Sequence, residues 1–259
     1  MALNQAKTIF VTSVKGGVGK TSTVLNLAGC FENLNKKTLI LDIDLYSGGI
    51  AASLNIDVDK DLFNIINDMN NNNFTNLNDY IIKYDETIDV IPAPKDPRYA
   101  SKINSKYLNI VLSKAKMIYD VILIDSNHFM NETNLIIMDN CDTILYVITN
   151  DPIDLKNIRT MISIYKDMDK KNYKIVLNNA TNKAKNYFTI YDIKHIIGGN
   201  IDYIIPATFH IKNYDKYVMD GKILTLDSKI KNIHKKDIEH ISKMASSLII
   251  KKRMRNEND

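Results

Sequence analysis

Seven consecutive residues, Lys15-Gly16-Gly17-Val18-Gly19-Lys20-Thr21, combine three glycines with two lysines and a hydroxyl. Glycines let successive backbone N–H groups turn toward one anion, while an ammonium and a hydroxyl beside them serve phosphate oxygens and a divalent cation. This chemistry assigns Gly16, Gly17, Val18, Gly19 and the following Ser22 to a phosphate cradle. It assigns Lys20 to the outer phosphates and Thr21 to Mg²⁺. The ordinary G-x-x-x-x-G-K-[ST] spacing would place glycine where Val14 stands. One lysine suffices for such a loop, so Lys15 either neutralises a further charge or is a solvated surface residue.

Three acids follow at the ends of apolar runs. Residues 38–44 close on Asp42 and Asp44, and residues 119–126 on Asp125 and a serine. Two-residue periodicity points Asp42 and Asp44 the same way at a strand's carboxyl end, where open parallel sheets bind ligands. Asp125 is a candidate Mg²⁺ carboxylate. Asp42 has two rival roles, holding a ribose or capping the strand end. His128, three residues beyond Asp125, is either a general base or a loop histidine facing solvent.

The elements that must position these groups alternate. Residues 8–13 read as a buried strand, and the apolar positions Val24, Leu25, Leu27, Ala28 and Phe31 read as a helix starting at Lys20, so the glycines fall between strand and helix. There a helix N-terminus adds its positive end to the cradle. Further strand-like runs at 88–91, 143–149, 173–178 and 201–205, with a helical stretch at 155–168, predict an α/β fold. The expected form is a single domain over 1–259, a mostly parallel open sheet with helices on both faces. Residues 67–78, with seven asparagines in twelve positions, read as a surface loop.

Charge is concentrated at the end of the chain. The net formal charge is +4, but residues 229–259 alone carry nine basic and four acidic side chains. Apolar positions Ile233, Ile238, Ile241, Met244, Ala245, Leu248 and Ile249 predict a terminal helix, with a basic tail of Lys251, Lys252, Arg253 and Arg255, the whole spanning about 233–259. Packing on the sheet with a solvated basic end, docking on an anionic membrane, and weak contact with DNA phosphates are the three readings of that segment. Two cysteines, Cys30 and Cys141, give neither a disulfide framework nor a metal spacing and are expected as buried thiols. No apolar run approaches the length of a membrane span, so a cytoplasmic place is expected, or the inner membrane face if the tail docks.

The two-lysine loop, the D-x-D of Asp42 and Asp44, and the strand ending in Asp125 together resemble the deviant Walker A signature of the MinD/ParA family of P-loop ATPases. The likeness runs over roughly residues 7–225. It implies ATP and Mg²⁺ as ligands, and Lys15 reaching the phosphates of a nucleotide held by a partner subunit, hence an ATP-dependent homodimer. Lys15, Lys20 and Asp44 are then the catalytic set, with Asp44 orienting the attacking water. Thr21, Asp42 and Asp125 surround the metal. Asn178 would bond the adenine edge, its amide offering both donor and acceptor, and Pro206 would lie near the base; an asparagine turn and a rigid proline turn are the alternatives.

The family's D-x-P-x-G after the third acid is here Asp125-Ser126-Asn127-His128-Phe129, without proline or glycine. Residues 42–56, 62–66 and 88–98 resemble the CpaE/TadZ-like pilus-assembly branch more than the D-x-D-P-Q of partition proteins. The implied function is slow, dimer-dependent ATP hydrolysis that localises or regulates a larger machine such as a pilus or secretion assembly, with a protein partner there. Alternatives are a ParA-like DNA-partition or MinD-like positioning ATPase, a non-hydrolysing adaptor stabilised by nucleotide, and a metabolic P-loop enzyme.

Overall fold

A computed structural model describes residues 6–181 and 187–250. Eight strands form one sheet: β1 (Lys7–Thr12), β2 (Thr38–Asp42), β3 (Ile82–Lys83), β4 (Ile88–Ile91), β5 (Val121–Asp125), β6 (Thr143–Ile148), β7 (Tyr173–Asn178) and β8 (Tyr203–Ile205). Their spatial order is β3-β4-β2-β5-β1-β6-β7-β8, and every neighbouring pair is parallel except the short β3 against β4. The helices are α1 (Lys20–Asn33), α2 (Ile50–Ser53), α3 (Leu62–Asn70), α4 (Lys106–Ala115), α5 (Glu132–Asn140), α6 (Pro152–Asp167), α7 (Ile190–Ile197), α8 (Tyr214–Met219), α9 (Ser228–Ile233) and α10 (Lys235–Ile249).

The central strands are apolar on both sides because both faces are covered. Phe10, Leu39, Leu41, Ile122 and Ile124 face one core with residues of α3 to α7. Their neighbours in sequence, Ile9, Val11, Ile40, Val121 and Leu123, face the other with residues of α1, α9 and α10. This alternation is the period of two read through a doubly covered parallel sheet. The expected α/β architecture with helices on both faces is the observed one.

Several boundaries moved. Helix α3 starts at Leu62, where Asp61 caps it in a reciprocal box with Asn64, and continues through Asn70, past the point where the asparagine-rich loop was expected to begin. Part of the same stretch forms a short 3₁₀ turn at Leu77–Tyr80, with Leu77 and Tyr80 buried. Helix α6 starts at Pro152, earlier than its apolar pattern suggested, since Asp151 caps it. Strand β2 ends at Asp42, so Asp44 lies beyond it rather than on it.

The terminal segment is two helices. Ile238, Ile241, Met244, Ala245 and Leu248 of α10 are buried in the core shared with α1, and Cys30 Sγ lies 3.5 Å from Ser242 Oγ. The tail residues Lys251, Lys252, Arg253 and Arg255 lie outside the described residues. Cys30 and Cys141 are buried free thiols. Among the described residues no helix is long and apolar enough to cross a membrane.

Candidate functional site

Strand β1 lies between β5 and β6, and the glycine loop leaves its carboxyl end to enter α1. Gly17 and Gly19 adopt positive φ angles of 75° and 92°, the conformation that glycine enters without a side-chain clash. Gly19 is the N-cap of α1 and supplies no side-chain acceptor, and the first turn carries no acid. The opening N–H groups of the helix are therefore left for an anion. A Cβ on Gly19 would stand 2.5 Å from Asn178 Nδ2, so the loop fits only without one.

Side chains tighten this cradle from below. The Ser13 hydroxyl donates to the Lys15 carbonyl at 2.6 Å and accepts from Lys20 Nζ at 3.2 Å. Burial lowers the pKa of Lys20, opposed by the charges of Asp125, Asp44 and Asp154, which hold it toward the ammonium. Thr21 Oγ1 donates to Asp125 Oδ2 at 2.7 Å. The other oxygen, Asp125 Oδ1, is buried without a partner. Burial pushes the Asp125 carboxyl up to about 7, with Thr21 and Lys20 pulling the other way.

These groups fit a magnesium–phosphate ligand. An unpartnered buried carboxylate oxygen beside a hydroxyl is a half-built cation site, and the uncapped helix with Lys20 beside it is the matching anion site. Among the described residues no three or more His, Cys, Asp or Glu side chains cluster to hold a metal.

Asp42 stands beside Asp125, its register partner on the neighbouring strand. It is buried, its Oδ1 accepts the Asp44 N–H at 3.0 Å and its Oδ2 the Ile50 N–H at 3.2 Å. These bonds make it the organiser of the 43–50 turn, the strand-end capping role. Asp44 is half-buried; burial raises its carboxyl, while Lys20, the Ser47 N–H and His128 lower it. Its approach to Lys20 keeps it at the phosphate end of the loop even though it has left the strand.

Lys15 Nζ lies 3.1 Å from Asp151 Oδ1 at the start of α6. That aspartate also accepts the Ile153 and Asp154 N–H groups. Asp154 is buried, receives the Thr149 N–H and hydroxyl on Oδ2, and leaves Oδ1 unpartnered. Thr149, Asp151 and Asp154 thus form the wall that Lys15 meets, and sequence reasoning missed them. The Asp-Pro pair at 151–152 signalled a helix start, but nothing in its spacing pointed toward Lys15.

A cavity of about 340 Å³ opens on the other side of the loop, between Ser22, Asn26, Phe209, Ile211, Tyr214 and Leu224. Asn178 lines it, and its amide also braces the backbone: Nδ2 donates to the Val18 carbonyl at 2.9 Å and Oδ1 accepts the Ala180 N–H at 3.0 Å, which leaves it a second N–H and a second lone pair. Pro206 caps a 3₁₀ turn just outside the cavity, whose wall is made by Ile205 and Phe209. Ser22 Oγ and Tyr214 Oη are 2.8 Å apart, a pairing the sequence gave no reason to expect across 192 positions.

Fold and loop together define a P-loop nucleotide-binding domain of the doubly wound α/β class. Residues 6–179 match the AAA domain family, and the chain belongs to it, with the fold of the MinD/ParA P-loop ATPases. Over 133 residues, 46% of this chain and 49% of the relative, it is 34% identical to the sporulation initiation inhibitor protein Soj of Bacillus subtilis. It superposes on the septum site-determining protein MinD of Pyrococcus horikoshii, solved with Mg-ADP, with a TM-score of 0.76 at 20% identity, covering 94% of this chain and 96% of that one. A ParA family ATPase from Chlorobium tepidum gives a TM-score of 0.73 at 20% identity, covering 94% and 98%. None of these three is a pilus-assembly protein by its description.

Proposed function

We propose that this chain is a Mg-ATP-dependent ATPase that positions or partitions a cellular component by switching its association state. The observation that carries the reading is the Thr21–Asp125 hydrogen bond under an uncapped, glycine-led helix, with Asp125 Oδ1 left open. Bound Mg²⁺ would supply positive charge between the outer phosphate oxygens. Thr21 and Asp125 would hold that ion, while the loop N–H groups and Lys20 bind the phosphates and stabilise charge on them. Asp44, beside Lys20, would orient the attacking water.

Lys15 is surplus to the loop of its own chain, which already has Lys20. Its half-exposed position supports a role across a two-fold dimer, where it would meet the partner's nucleotide and where exclusion of water strengthens its charge. In the free chain Asp151 holds it. Similarity to a septum site-determining protein and to a ParA family ATPase favours positioning over the pilus-assembly branch suggested by residues 42–56, 62–66 and 88–98. A DNA-binding version of the same function would show steep salt dependence.

The test is the mass in solution with and without Mg-ATP. The parent is expected to shift from monomer to dimer with nucleotide, and Lys15→Ala to bind nucleotide without the shift. Asp151→Asn keeps a capping side chain while weakening the hold on Lys15, so its shift should occur at lower nucleotide concentration. An unchanged mass in the parent would overturn the dimer switch.

A further inference from the structure

The loop after Asp125 departs from the family pattern, and its hydrogen bonds show what replaces that pattern. Ser126 Oγ donates to the Val11 carbonyl at 2.9 Å, and Thr12 Oγ1 to the Asn127 carbonyl at 3.3 Å. Asn127 Oδ1 accepts both the Phe129 N–H at 3.0 Å and Asn134 Nδ2 at 2.9 Å, and Asn134 Nδ2 also reaches the Phe129 carbonyl at 2.6 Å. The Phe129 N–H, standing where the pattern has its glycine, is therefore already bonded within the loop. Ser126 and Asn127 are buried under it.

His128 is the side chain of this loop that faces the glycines. A Cβ on Gly16 would lie 3.6 Å from its Cε1 and 3.7 Å from its Nδ1, so the ring stands beside Gly16 with room for about one methyl between them. The Phe129 ring packs against it with centroids 4.2 Å apart, which fixes the imidazole from the outer side. An imidazole carries at least one N–H donor in either charge state. That donor stands between Gly16 and the Phe129 ring, near enough to the phosphate end of the loop that His128 and Lys20 both act on the Asp44 carboxyl.

We propose that His128 senses the terminal phosphate, its ring N–H bonding the outermost phosphate of a nucleoside triphosphate. The inference rests on the nucleotide reading above. It makes His128 a specificity residue for triphosphate over diphosphate, carried on a loop held by its own hydrogen bonds.

Calorimetric titration with ADP and with a non-hydrolysable ATP analogue, both in Mg²⁺, tests this on the full chain. His128→Ala should weaken the analogue about 10- to 100-fold, as expected for one hydrogen bond to a charged group, and leave ADP within about twofold. His128→Gln should recover part of the loss through its amide N–H. Retained ADP binding shows in the same experiment that the variant is folded at the site. Equal weakening of both ligands, or of neither, would overturn the proposal by reducing His128 to packing over Gly16. A parent that binds neither nucleotide overturns the nucleotide reading itself, and this inference with it.

Discussion

Asp42 and Asp125 are register partners at the carboxyl ends of adjacent parallel strands, both buried, and they use their oxygens in opposite ways. Asp42 has each oxygen on a backbone N–H of its own chain. Asp125 gives one oxygen to Thr21 and keeps the other unpartnered. Burial raises both carboxyls, and for Asp42 the neighbouring Asp125 charge is the next cause. One acid shapes the turn that carries Asp44; the other keeps an oxygen open.

Their substitutions should therefore separate. Asp42→Ala strands two N–H groups and should lower stability by about 2–4 kcal/mol in denaturant unfolding. Asp125→Ala removes an acid whose burial is already costly, so ligand-free stability should change by less than about 1 kcal/mol. What Asp125→Ala should lose is the rise in melting temperature on adding Mg-ATP. Equal effects on ligand-free stability would contradict the division of roles.

The sequence carried the strands, the loop and the three acids because each depends on local pattern: an apolar run, a glycine between strand and helix, an acid at a run's end. Asp44 shows where that stops. Alternation put it on the strand with Asp42, but the Asp42 carboxylate takes the Asp44 N–H and turns the chain out of the sheet. Asn178 shows a second limit, since its residue type suits a base edge but gives no sign of the contacts it makes in space, to the Val18 carbonyl and the Ala180 N–H. Tyr214 and Asp151 were illegible because each meets its partner, Ser22 or Lys15, only when the fold brings distant segments together.

Away from the site, Glu32 near the end of α1 faces the Asp85 carboxylate, and Asp85 is committed to the Thr87 and Ile88 N–H groups. Burial first, then Asp85, pushes the Glu32 carboxyl up to about 7. Its folded pKa thus lies above its unfolded one, near 4.3. The folded state holds the extra proton, so this contribution is complete below about pH 4 and is lost as pH rises through about 7. Glu32 is partly exposed, and solvent screening limits the effect to on the order of 1 kcal/mol. Melting temperature measured from pH 5 to 8 should fall less in Glu32→Gln than in the parent; parallel profiles would rule this pair out as a source.

Gly17 and Gly19 both have positive φ, yet they should respond differently to the same added methyl. At Gly17 a Cβ meets nothing within 4 Å, so Gly17→Ala should cost only the strain of a left-handed alanine, about 1–2 kcal/mol. At Gly19 the same strain is joined by a contact at 2.5 Å with Asn178 Nδ2, the atom that holds the Val18 carbonyl. Gly19→Ala must displace that amide, break its bond, and shift the loop away from β7, for a total of about 2–4 kcal/mol and loss of nucleotide binding. Removing the amide as well isolates the contact. In Gly19→Ala with Asn178→Ala the contact with the amide is gone and only a tight 3.3 Å approach to Thr181 Cγ2 remains, so the double variant should be more stable than the sum of the two single losses, by about 1 kcal/mol. Strict additivity would mean that Asn178 and Gly19 do not press on one another, and that the loop is held in place by something other than this amide.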